Sequence, residues 1–118
     1  MHKDWPQMAS ELSLALKEVR TGLPDTMKAF SALARAALEP KALDSKTKEL
    51  LALGIAVATR CDACITFHAE AAVKLGASRD EVMETMGMAI YMGAGPSVMY
   101  AAQAVEAFDQ YSAKKAAG

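Results

Sequence analysis

Apolar side chains recur along this chain at the three- and four-residue spacing of helices, and helix punctuation fills the gaps between the runs. About six helices are predicted, with no strand. The first opens at Asp4-Trp5-Pro6 and runs to about Arg20, with Leu12, Leu16 and Val19 on one stripe, before Thr21-Gly22 breaks it. The second starts at Pro24, whose fixed φ suits a first helical turn. It continues through Met27, Phe30, Leu33 and Leu38 and stops before Pro40. The third begins near Asp44, a natural N-cap, is polar for one turn, and is then apolar all round from Leu50 to Ala58. A helix without a polar face over that length belongs at the centre of a core.

The fourth helix opens at Cys61 and closes at Gly76, a residue suited to the position just past a helix end. Ser78 and Glu81 form a capping-box pattern that starts the fifth, which carries Val82, Met86 and Ile90 and ends at Gly93. After the turn "GAGP", the sixth opens at Pro96 and runs to about Tyr111, leaving "SAKKAAG" as a frayed tail. His2 is expected to be a disordered terminal residue. No internal repeat or linker divides the chain, so residues 1–118 read as one all-α domain.

Composition narrows the function. Hydrophobic residues make up 53% of the 118 residues and aromatics 6%, with four prolines and seven glycines, a helical balance rather than a turn-rich β one. A formal net charge of -1 offers no basic surplus for nucleic acid or an anionic membrane. The longest apolar run, Leu50 to Ala58, is far short of the roughly 20 residues a membrane span needs. The opening "MHKDWPQMASEL" lacks the layout of a secretory signal. A cytoplasmic protein is expected, and there a disulfide is usually transient and catalytic rather than structural.

Both cysteines and one of the two histidines lie in "CDACITFH", Cys61 to His68. Cys61 and Cys64 are i,i+3 neighbours and Cys64 and His68 are i,i+4 neighbours, so all three share a helix face. At the helix start, unpaired N–H groups favour an anion, which lowers a thiol pKa and supplies the reactive thiolate. A dithiol there, with a base on the same face, is a redox arrangement. Haem attachment needs histidine directly after the second cysteine, and Ile65 stands there. A closed zinc site needs four ligands; beyond Cys61, Cys64 and His68 only His2 or a carboxylate remains, so a zinc-binding structural protein is a lesser alternative. Two buried cysteines beside a core histidine would explain scattered residues better than this spacing.

Glu49 has two readings. In "SKTKEL" it is a solvated first-turn residue complementing the helix dipole, or it serves His68. If the third and fourth helices form a hairpin turning near Arg60, a rise of about 1.5 Å per residue puts Glu49 roughly 16 Å and His68 roughly 10–12 Å from the turn. That offset is about one helical turn, close enough to orient the ring or exchange a proton through water. The methionines Met83, Met86, Met88, Met92 and Met99 read as core and interface filling rather than a copper site. "GAGP" is a turn rather than a phosphate loop, since no strand precedes it and no lysine follows.

Glu49, Cys61-x-x-Cys64 and His68 at this combined spacing resemble the core motif of the alkylhydroperoxidase D-like (AhpD-like) branch of the carboxymuconolactone decarboxylase family. The resemblance runs from "LPDTMKAFSAL" through "SKTKELLALGIAVATRCDACITFHAEAAVKLGAS" to "MGAGPSVMYAAQAVEAF", a core of about residues 23–110. It implies an all-helical fold and a cofactor-free alkylhydroperoxidase or disulfide reductase. Its substrate would be a hydroperoxide or a disulfide, and a thiol reductant, protein or small molecule, would restore the dithiol. Cys64 would meet the peroxide and Cys61 would resolve it, although electrostatics alone favours Cys61 as the more readily ionised thiol. Glu49 and His68 would relay the proton. In the best-known peroxidase members a histidine directly precedes the second cysteine; here that residue is Ala63. The decarboxylase branch usually lacks the paired cysteines, so a lyase is the weaker implication. Short members assemble as trimers or hexamers, and the apolar fifth and sixth helices supply a physical motive for such a homo-oligomer.

Overall fold

The computed structural model describes residues 2–118, and all its regular structure is helical: α1 (Trp5–Gly22), α2 (Pro24–Leu38), α3 (Ser45–Ala58), α4 (Asp62–Lys74) and α5 (Arg79–Ala117). The caps are those the sequence announces. Asp44 accepts the Thr47 N–H, and Ser78 and Glu81 close a complete capping box. Gly76, at φ 80°, ends α4 with a Schellman pair, its N–H on the Val73 carbonyl and the Ala77 N–H on that of Ala72.

Among the described residues the count is five helices, not six. Pro96 has no N–H and its ring crowds the carbonyl four residues back, so a regular helix cannot pass. The chain does not stop there. A single left-handed residue, Ala94 (φ 58°, ψ -146°), absorbs the break and helix resumes at once, giving one kinked rod. Gly93 is needed for close approach: a Cβ there would lie 1.9 Å from the Ser97 hydroxyl oxygen. The expected frayed tail is also helical, to Ala117, and Lys115 Nζ donates to the Val73 carbonyl at 3.2 Å.

The core lies where α3, α4 and α5 meet. Leu53, Val57, Ile65, Ala69, Val82, Ala104 and Ala107 are fully enclosed there. The first helix enters this core through its opening turns, Trp5 and Ala9, and not through the predicted stripe, since Val19 is exposed and Leu12 and Leu16 are half-buried. The third helix is less central than its pattern suggests. One side carries Leu53, Ala56 and Val57 inward, while Leu51 and Ile55 are 50% and 62% exposed and border a groove of about 200 Å³ with Met88 and Met92. Among the described residues no helix is long and apolar enough to cross a membrane.

Candidate functional site

The α3–α4 turn positions the site. Thr59 caps α3, and Arg60 adopts φ 59° at the position glycine ordinarily takes. Its N–H reaches the Val57 carbonyl and the next N–H, that of Cys61, reaches the Ala56 carbonyl at 3.0 Å. A left-handed arginine is strained by roughly 1 kcal/mol relative to glycine, and it stands directly before the first cysteine. The tight reversal makes Cys61 the N-cap of α4. Its Sγ accepts the Cys64 N–H at 3.2 Å, the contact that would also stabilise a thiolate there.

Cys61 and Cys64 form a disulfide with their Cα atoms 5.2 Å apart. Both residues are half-buried, and Ile65 and Thr66 behind them are sealed in the core. The pair therefore lies at the surface edge of a rigid helix. One turn further along, His68 Nδ1 meets Glu49 Oε1 at 2.6 Å. The two side chains span the one-turn offset directly, so Glu49 orients the ring without an intervening water. Glu49 keeps 10% of its side chain exposed and His68 30%, so the carboxylate is the buried partner and the imidazole the accessible one. With Nδ1 engaged, Nε2 remains for an incoming group. The solvated first-turn reading of Glu49 does not hold, since it is the buried acid of α3.

The two sulfurs are bonded to each other, and among the described residues no three of His, Cys, Asp and Glu gather closely enough to hold a metal ion. His2 belongs to no such cluster. Its backbone N–H donates to Glu106 Oε2 at 2.6 Å, so it is a held residue, not the expected disordered one.

Sequence reading missed what braces α4 from behind. Trp5 is fully buried, its indole N–H donating to Glu106 Oε1 at 2.8 Å. Its carbonyl accepts from Thr66 Oγ1 at 2.8 Å, and the Tyr111 hydroxyl meets Thr66 at the same distance. Burial holds the Tyr111 hydroxyl above its ordinary range, so it stays protonated. For Glu106, burial works to raise the carboxyl, but donation from the His2 N–H, the Trp5 indole and the Lys3 N–H outweighs it and the net direction is down. The lone tryptophan beside an N-cap was the available signal. Its partners lie 61 and 101 positions away, beyond any periodicity.

Comparison with known proteins agrees with the fold. The sequence model of the Carboxymuconolactone decarboxylase family matches residues 24–107. A crystal structure of a family protein from Legionella pneumophila in its apo form superposes with a TM-score of 0.89 at 49% identity, over 92% of this chain and 96% of that one. A family protein from Thermotoga maritima, for which a role in the antioxidative response has been suggested, superposes at 0.84 with 30% identity, over 94% and 95% of the two chains. An uncharacterised protein of Haemophilus influenzae is 43% identical over 98% of this chain and its own full length.

Proposed function

Because the chain belongs to the carboxymuconolactone decarboxylase family, we propose that it is a cofactor-free thiol oxidoreductase of the alkylhydroperoxidase type, working in the cytoplasm. The Cys64 thiolate attacks the terminal oxygen of a hydroperoxide. The O–O bond breaks, the leaving alkoxide takes a proton relayed by His68, and Cys64 becomes a sulfenic acid. The Cys61 thiolate then attacks that sulfur and releases water, and the disulfide closes. The dithiol has given two electrons to ROOH, yielding ROH and water. Two equivalents of an external thiol, protein or small molecule, restore the pair through a mixed disulfide. Run against a disulfide substrate, the same dithiol is a reductase.

The observation that carries this reading is the hydrogen bond between Glu49 on α3 and His68 on α4, one helical turn from the disulfide-bonded cysteine pair. Glu49 fixes the ring and supports the imidazolium, leaving Nε2 to exchange the proton. The suggested antioxidative role of the Thermotoga relative points the same way. Lactone decarboxylation would leave the cysteine pair without a task.

The working form in this proposal is a trimer or hexamer. α2 has no buried residue, and Phe30 and Leu33 on it are 59% and 61% exposed; Tyr91, Met92 and Met99 on α5 are 78%, 75% and 64% exposed. Exposed apolar side chains in this number are ordinarily covered by a partner. The test of the chemistry is consumption of alkyl hydroperoxides by the pre-reduced protein with a dithiol donor. Cys64→Ser is expected to abolish it, and unchanged consumption in that variant would refute the mechanism.

A further inference from the structure

Lys3 is fixed far more firmly than a lysine next to a chain end ordinarily is. Its backbone N–H donates to Glu106 Oε1 at 3.0 Å, its carbonyl accepts from Gln110 Nε2 at 2.6 Å, and its ammonium lies 5.2 Å from the centre of the Trp5 ring. Nζ then reaches Gln103 Oε1 at 2.8 Å and Asp62 Oδ2 at 2.5 Å. Asp62 is the residue between the cysteines that directly follows Cys61 in the first turn of α4. The side chains of this ion pair are 30% and 39% exposed. Solvated lysines do not need this scaffolding.

The position of Asp62 gives the scaffolding a purpose. A carboxylate in the first turn and a thiolate at the N-cap draw on the same helix N-terminus. Each also raises the cost of the other by like-charge repulsion. An uncompensated Asp62 would hold the neighbouring thiols protonated and slow. We propose that Lys3 is a positioning residue for the dithiol, acting through Asp62: its ammonium neutralises the carboxylate and so keeps a cysteine thiol of the pair acidic enough to react at neutral pH. This inference rests on the thiol oxidoreductase reading.

Among the other charged or titratable groups on the elements packed around α4 are Glu49 on α3 and Arg60 in the turn, Asp4 ahead of α1, His68, Glu70 and Lys74 on α4 itself, and Tyr100, Glu106, Tyr111, Lys114 and Lys115 on α5, the last donating to the Val73 carbonyl. Glu49 is committed to His68, and Glu106 to the backbone of residues 2 and 3 and the Trp5 indole. Asp62 is thus the carboxylate adjoining Cys61, and Lys3 is its ion-pair partner.

The test is the pH profile of iodoacetamide alkylation of the reduced full-length protein, compared among Lys3→Met, Lys3→Arg, Asp62→Asn and the Lys3→Met/Asp62→Asn double variant. Unit charges a few ångströms apart near a protein surface predict about a 3–10-fold slower reaction at pH 7 in Lys3→Met, with the profile displaced to higher pH. Lys3→Arg should keep the wild-type profile. Asp62→Asn should displace it to lower pH, and the double variant should return towards wild type. Loosening of the N-terminal segment cannot produce opposite displacements or their cancellation. An unmoved profile, or displacement of both single variants in one direction, would overturn the proposal. A parallel titration of the wild type, in which oxidised glutathione takes two electrons from the dithiol and gives two reduced glutathiones and the intramolecular disulfide, tests the reading beneath it. Failure of the wild type to equilibrate refutes the redox function, whereas a normal wild type with unmoved variants refutes the role of Lys3 alone.

Discussion

α2 and α4 are helices of similar length, 15 and 13 residues, with opposite fates. α2 separates its apolar and polar side chains more cleanly than α4, yet it buries nothing and packs only on α1 and α3. α4 has a poorly segregated pattern and buries Ile65, Thr66, Ala69, Ala72 and Val73, because α3, α5 and the start of α1 enclose it. Burial therefore follows from what surrounds a helix, and an amphipathic stripe only states what the helix is prepared to meet. For α4 the neighbours are in the chain and hold the disulfide-bonded cysteine pair in place. For α2 the stripe is unmet, which is the physical argument for a partner copy.

The sharpest way to break this contrast is through His68 on α4 and its α3 partner Glu49. His68→Gln and Glu49→Gln should each slow peroxide turnover by about 10²–10⁴-fold, the usual cost of losing a general acid–base group. Helical circular dichroism should be unchanged. Wild-type turnover in both variants would return the pair to a structural role. The two helices can also be compared by truncation. Ile65→Ala on α4 should lower unfolding free energy by about 2–5 kcal/mol. Phe30→Ala on α2 should change the stability of the isolated chain by no more than about 0.5 kcal/mol. The same exposed ring should matter for assembly. Light scattering of wild type should report several times 12.5 kDa, and Phe30→Asp should report a smaller species. Equal masses for both would remove α2 from the interface.

The brace behind α4 gives a smaller, pH-dependent effect. Glu106 is held below the ordinary glutamate range, so its contribution to stability is present at neutral pH. That contribution should be lost progressively as pH falls below about 4.3 towards its folded value. In chemical denaturation, Glu106→Gln should cost about 2 kcal/mol at pH 7 and show a weaker loss of stability on acidification than wild type. A loss as steep as that of wild type would exclude Glu106 as the titrating group. Smallest of all, Arg60→Gly should relieve the left-handed residue before Cys61 and leave stability unchanged or raised by about 1 kcal/mol.

Much of this was legible in the sequence because it is local. Asp44, Gly76 and the Ser78–Glu81 pair each act within a few residues, and the structure uses all of them. Cys61, Cys64 and His68 could be singled out because helical spacing relates them, whereas for Glu49 the hairpin left two readings open and the family resemblance favoured the functional one. What escaped was non-local or a matter of degree. Pro96 signals a break, but whether the chain reverses or resumes depends on how one residue, Ala94, turns. The Trp5–Thr66–Tyr111 contacts and the Lys3–Asp62 pair join the two ends of the chain to α4, and no periodicity reports that. The outward side of α3 reads as core because an all-apolar helix looks the same whether its cover is intramolecular or another copy.

The central claim is that Cys61 and Cys64 are a working redox couple. Intact mass spectrometry of the fully reduced protein after a stoichiometric hydroperoxide pulse addresses it directly. The account predicts loss of two hydrogens, no reaction with an alkylating reagent, and recovery of both thiols on adding a dithiol. Two thiols that remain free and alkylatable after the pulse would contradict it.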